Sequence, residues 1–209
     1  MINSLKIMTI FCALLISKNA FCEKLSLDKE RKIIAVKIEL SKLRAADQGI
    51  RHELERLQSN GYTMKQILAS SVGKFWGEID RENCAKLKEI LKKTGWPTLS
   101  VYGEEADTAA WIIAQHAYFD PPFQKQALQI LEEKLKTKDT IARNYAYLLD
   151  RVNLDQKKLQ VYGTQGHCLK KSFWIPWPME NPGAVDARRK RVGLEPMASY
   201  KKLVNGYCY

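Results

Sequence analysis

The chain is short of the residues that usually mark a site. Of its five cysteines only Cys84, Cys168 and Cys208 lie beyond residue 22, and no C-x-x-C spacing occurs. Three cysteines are too few for a disulfide framework, the missing spacing speaks against a thiolate metal site, and there is room for one bridge. There are three histidines and no H-E-x-x-H, so no metal is expected. G-x-S-x-G, G-x-G-x-x-G and Walker patterns are also missing, which removes the familiar serine-hydrolase, dinucleotide and P-loop readings. No cofactor is expected. No apolar run reaches the roughly 20 residues of a spanning helix. Internal repeats and low-complexity linkers are missing too.

What is present begins with an address. Residues 1–22 read as a cleavable export signal. Lys6 precedes the apolar run Ile7 to Ile16, and no acid occurs before Glu23. As a helix that run spans about 15 Å, half the hydrocarbon core, so it is too short for an anchor. Ala20 and Cys22 put small residues at −3 and −1 of a cut before Glu23. Bulky Phe21 speaks against lipid attachment at Cys22. The expected mature chain is 23–209, a single domain that is periplasmic or secreted. Losing Lys6 and Lys18 lowers the formal net charge from +11 to +9. Outside the cell such a surface meets anionic lipid, polymers or acidic proteins, although a solvated basic face is the plainer reading. Export argues against nucleic acid, and the basic run Arg188 to Arg191 is thin support for it.

Hydrophobic spacing predicts a mainly α fold. Ile33, Val36, Leu40, Leu43, Ile50, Leu54 and Leu57 form the seam of one long helix over about 27–58. Asp47 interrupts this seam, with Gln48 beside it and Arg51 one turn on. A carboxylate on an apolar stripe is costly unless paired. After Asn60-Gly61 an irregular segment is expected to Gly77, then a helix capped by Asp80 and closed by Gly95. A central, buried helix is expected from Glu104 to Tyr118, and Asp120-Pro121 should open the next. Asp139 should cap a helix ending near Asp150-Arg151. A small β-hairpin is expected over 152–162, followed by an irregular Trp/Pro-rich strap from Lys170 to Pro182 and a short basic helix from Asp186 to Val192. Cys168–Cys208 is the expected bridge, because both lie in turn-rich sequence. Cys84 reads as a buried thiol.

Several polar residues stand where apolar ones would be cheaper. His116 follows Gln115 on the buried helix, Asp120 is four residues further, and Gln124 four beyond that. A carboxylate–imidazole pair could orient a general base, yet a buried histidine is more often hydrogen-bonded core. Asp150-Arg151 is either a helix-end ion pair or an arginine aimed at an anion. Tyr162-Gly163-Thr164-Gln165 is a glycine turn with polar side chains.

Together these pieces carry a resemblance. The Asp47-Gln48 pair with Arg51, Gly95-Trp96-Pro97-Thr98, Ala110-Trp111, Gln115-His116-Ala117, Asp120-Pro121 with Phe123-Gln124, Tyr147 with Asp150-Arg151-Val152, Gln160 with Tyr162-Gly163-Thr164-Gln165 and Asp186-Ala187-Arg188-Arg189 with Val192-Gly193-Leu194 occur in this order. The chain resembles an uncharacterised bacterial domain-of-unknown-function family, DUF6624, over about Leu40 to Tyr200. The resemblance implies no activity. It implies that Asp47, Arg51, His116, Asp120, Gln124, Asp150, Arg151 and Gln165 belong together. Tyr118, where relatives often carry an acid, and Lys157-Lys158, where glycine is usual, depart from the pattern.

Two functions are compatible with these residues. The first is a non-catalytic binding module with a buried polar network, its partner a small polar or anionic ligand or an envelope component. Arg51, Gln115, Gln124, Asp150, Arg151, Tyr162 and Gln165 are its candidate ligand-binding residues. The second is a hydrolase with His116 as general base, Asp120 or Asp47 orienting it, and Arg151 holding an anionic substrate.

Overall fold

The computed structural model describes residues 25–209 with their side chains and carries the first helix back to Ile2. The export signal expected over 1–22, with its cut after Cys22, lies outside the described residues. The chain divides into two units, Met1–Glu39 and Leu40–Tyr209. The described part of the first unit is helical and largely exposed, with Ile33 and Val36 half-buried. Among the described residues no helix is long and apolar enough to cross a membrane.

The fold is mainly helical, as the spacing predicts. Helix α1 (Ile2–Ser59) contributes its Leu40–Ser59 stretch to the second unit. There Leu40, Leu43, Asp47, Ile50 and Leu54 are buried, which is the predicted seam with its acid included. Gly61, at a φ of 89°, ends the helix in the left-handed region that glycine adopts without strain.

The irregular segment expected over 60–77 is instead two helices, α2 (Met64–Ala69) and α3 (Ser71–Thr94). Thr63 and Gln66 close a reciprocal capping box on α2, and Ser70 caps α3. Gly73 permits the sharp junction, because a Cβ there would sit 2.4 Å from the Ile67 carbonyl oxygen. Asp80 is therefore not a cap. It lies mid-helix on the buried face with Asn83, Cys84, Leu87 and Ile90. Asn83 Nδ2 donates to the Leu43 carbonyl at 3.1 Å, tying α3 to α1.

The short α4 (Leu99–Tyr102) leads into α5 (Glu104–His116), whose alanines let α3, α6 (Pro121–Lys136) and α7 (Ala142–Asp155) approach it. Asp107, fully buried, gathers the ends of these elements. It accepts from Trp96 Nε1 at 2.7 Å, Thr140 Oγ1 at 2.7 Å, Ile141 N at 3.1 Å and Asn144 Nδ2 at 3.2 Å. Burial nevertheless pushes its carboxyl above the usual range, with those four bonds acting against the push. Asp139 does not cap α7. Its carboxylate accepts from Ser100 N and Oγ at the start of α4.

The hairpin exists but is displaced. Residues 152–155 remain in α7, and the antiparallel strands are β1 (Gly166–Lys170) and β2 (Phe173–Pro176), the latter inside the expected strap. Helices α8 (Val185–Arg191) and α9 (Met197–Asn205) follow. Trp174, Val185, Met197, Tyr200 and Cys208 form a C-terminal core cluster. A disulfide joins Cys168 to Cys208, fastening the chain end to β1. The basic run on α8 is only partly a surface. Arg188 Nε donates to the Val161 carbonyl at 2.7 Å. Arg189, fully buried, donates to the carbonyls of Glu195 at 2.6 Å and Tyr162 at 2.9 Å.

Candidate functional site

The site is built on the break in the α1 seam. Asp47 is 1% exposed, and its carboxylate meets three side-chain donors. His116 Nδ1 donates to Oδ1 at 2.8 Å and lies 3.1 Å from Oδ2. Arg51 Nη1 is 2.9 Å from Oδ1, and Gln48 Nε2 donates to Oδ2 at 2.7 Å. Arg51 Nη2 reaches across to α3 and meets both oxygens of Asp80, at 3.0 and 3.2 Å. Two acids thus face one arginine and one imidazole. Burial raises the Asp80 carboxyl above its ordinary value, while Arg51 opposes the rise. Burial also lowers the His116 pKa below 6.5, with Asp47 resisting. His116 is accordingly neutral near pH 7. With Asp47 holding Nδ1–H, the lone pair falls on Nε2. Nε2 has no hydrogen-bond partner among the described residues, and the His116 side chain keeps 19% exposure.

His116 lines a pocket of about 290 Å³ whose wall also includes Trp111, Gln115, Arg151, Thr164 and Gln165. Tyr147, Trp174 and Tyr200 form an aromatic side with Trp111, and Ile112 and Gly166 complete the lining. Trp111 and Tyr147 pack at 5.7 Å between ring centroids, and Trp174 stands edge-on to Tyr200 at 5.5 Å. Gly166 is required here, since a Cβ would fall 2.3 Å from the Trp174 ring.

Arg151 is the unusual member. Its Nη2 donates to Gln165 Oε1 at 2.9 Å, and it forms no ion pair among the described residues. The charge nearest in effect is another cation, Arg51. Burial and that repulsion bring the Arg151 pKa down from 12.5 to about 10. Three of the residues lining the pocket each carry a buried polar atom with no partner among the described residues: Trp111 Nε1, Arg151 Nε and Gln115 Oε1. Buried polar groups are nearly always satisfied, so three in one pocket need a reason.

Other expected residues shape the site from outside it. Asp150, fully buried, accepts from Val161 N at 2.7 Å, Tyr162 N at 3.0 Å, Thr164 N at 2.9 Å and Thr164 Oγ1 at 3.0 Å. It does not pair with Arg151; it folds the loop that presents Thr164 and Gln165. Tyr162 serves there through its backbone. Gln160 clamps the same loop, exchanging bonds with both backbone groups of Gln165. Gln124 Nε2 donates to the carbonyls of Ala114 and Gln115, closing the end of α5 beside His116. Asp120 does not reach His116. It caps α6 through Phe123 N at 3.1 Å and pairs with Lys88 on the surface. The sequence reading gave no site role to Asp80, which it took for a cap, to Trp111, which it placed only in the family signature, or to Trp174 and Tyr200. A seam drawn through Asn83, Leu87 and Ile90 and extended back one turn would have found Asp80. Among the described residues no group of three or more His, Cys, Asp or Glu side chains could hold a metal ion.

Residues 35–208 match the family of unknown function DUF6624. The chain belongs to this family. Comparison with curated proteins and with solved structures gives no match. The DUF6624 match spans every element of the site, from Asp47 to Tyr200.

Proposed function

We propose that this DUF6624 chain captures a small anionic molecule in the His116–Arg151 pocket. One observation carries the reading: Arg151 is a half-buried guanidinium whose buried Nε has no partner and which forms no ion pair among the described residues, set among other unsatisfied polar atoms. A charge partly withdrawn from water in this way is costly unless something pairs with it, and the ligand's anionic group would do so. Arginine suits that task because its planar fork matches carboxylate geometry. Trp111 Nε1–H adds a donor, and Gln115 Oε1 with His116 Nε2 adds acceptors, so the ligand carries hydrogen-bonding groups beyond its charge. The aromatic side gives it an apolar face to lie on. The export expected from residues 1–22 would make this ligand one of the envelope or the medium.

Thermal-shift screening tests the reading, using small carboxylates and phosphates beside neutral analogues of the same size. A matching anion should raise the melting temperature of the protein and leave Arg151→Met unmoved. Stabilisation that persists undiminished in Arg151→Met would remove the site assignment.

A further inference from the structure

We infer that the pocket hydrolyses small carboxylic esters bearing a second, anionic group, with His116 as general base on water. The inference rests on the anion-binding reading above and adds a reaction to it. Simple capture does not account for Asp47. A ligand acceptor could be any carbonyl or amide, whereas here a buried carboxylate fixes one imidazole tautomer and directs its lone pair to the pocket. That is the arrangement in which imidazole takes a proton from an attacking oxygen, while the carboxylate stabilises the imidazolium that forms.

No hydroxyl or thiol is bonded to His116 among the described residues, so the nucleophile is water. Thr164 Oγ1 is committed to Asp150 and to Gln165 Nε2. As the water oxygen bonds to the acyl carbon, its proton passes to His116 Nε2. When the acyl carbon–oxygen bond breaks, Nε2–H returns that proton to the departing alkoxide. The products are a carboxylic acid and an alcohol, and no oxidant or reductant is needed. Trp111 Nε1–H is an unclaimed donor for the acyl oxygen as charge builds on it. Arg151 pairs with the second, unreacting anion. Acyl rather than phosphoryl chemistry fits, because phosphoryl transfer spreads charge over several oxygens and draws on more than one cation. Arg151 is the one lining residue of this pocket with a permanent charge.

The charged groups around His116 are Asp47 and Arg51 on α1, Asp80 on α3 and Arg151 on α7. Tyr147 and Tyr200 also line the pocket, and burial raises both phenols, so neither ionises near neutrality. His116 thus titrates on the acid side of pH 7, below its ordinary value.

The test uses the purified protein, disulfide intact, with mono-4-nitrophenyl succinate and its neutral methyl ester as probes. Many turnovers per molecule are expected on the anionic probe, with at least a tenfold preference in kcat/KM that Arg151→Met abolishes. The rate should rise with pH along a limb centred below 6.5. His116→Gln, checked for folding by circular dichroism, should lower kcat by about 10²- to 10⁴-fold and remove that limb. His52→Ala, on an exposed face of α1, should change nothing. The limb in the unmodified protein needs no variant, so a misfolded His116→Gln does not spare the inference. Turnover unchanged in folded His116→Gln overturns it, as does turnover without the limb. Succinate binding without turnover of either ester overturns the hydrolysis and leaves the anion site standing. Failure of both binding and turnover removes both.

Discussion

Replacing Arg151 with methionine should make the protein more stable while ending its binding of anions. The side chain is held in the wall of the pocket by one bond, from Nη2 to Gln165 Oε1 at 2.9 Å. No acid among the described residues pairs with it, and its pKa falls from 12.5 to about 10. At roughly 1.4 kcal/mol per unit, the shift corresponds to about 3 kcal/mol against the charged form. Methionine has a similar reach, no charge and a side chain that adapts to irregular space. It forfeits the Gln165 bond, worth about 1 kcal/mol. The balance is a gain on the order of 2 kcal/mol. For a chain of this size that raises the melting temperature by about 4–8 °C. Circular dichroism melts at neutral pH in a buffer free of carboxylate and phosphate would measure it. A loss of 1 kcal/mol or more in Arg151→Met would show that the guanidinium is a structural member of the fold, and the electrostatic basis of the site would fall.

The acid behind the site should behave in the opposite way. Asp47→Ala leaves Arg51 and His116 without their shared carboxylate, and it should cost about 3–5 kcal/mol in a denaturant melt. A loss under 1 kcal/mol would mean that Asp80 alone satisfies Arg51. Stability should also depend on pH through His116. Its folded pKa lies below the unfolded value of 6.5, so the unfolded chain binds the proton first as pH falls. Stability contributed by neutral His116 is therefore complete above 6.5 and declines as pH drops toward the folded pKa. Asp80, whose folded pKa is raised above 3.8, contributes the opposite trend, adding stability as pH falls through its folded pKa. His116→Gln should flatten the decline between pH 7 and the folded pKa, and an unchanged slope would assign it to other groups. Reduction of Cys168–Cys208, which closes a 40-residue separation, should cost about 2–4 kcal/mol. A melt insensitive to reductant would show that the C-terminal cluster holds α9 without the bridge.

Much of this fold was legible because helices advertise themselves by spacing. The α1 seam ran through Leu40, Leu43, Ile50 and Leu54, and its single flaw, Asp47, was the foundation of the site. His116 and Arg151 were visible for the same reason, as polar residues on apolar helices. What misled was proximity along the chain. Asp120 and Asp150 looked like partners of His116 and Arg151 because they are near in sequence. The fold gives Asp120 to a helix end and Asp150 to the loop over Val161 to Thr164. The partners that matter are distant, 69 positions apart for Asp47 and His116 and 29 for Arg51 and Asp80. Periodicity carries no information about such pairings. The hairpin was displaced because Val152 and Leu154, read as strand residues, continue the last turn of α7. Tertiary burial decided that segment over local preference.

The central claim is that Arg151 and Trp111 await an anion. Nitrogen-15 NMR on the Arg151 Nε–H and Trp111 Nε1–H groups, assigned by Arg151→Met and by a Trp111 variant, addresses it directly. Titration with succinate, against its neutral dimethyl ester, should shift both resonances together and saturably, with no response to the diester. Resonances that stay fixed while succinate binds elsewhere, or that answer equally to the neutral diester, would contradict the account.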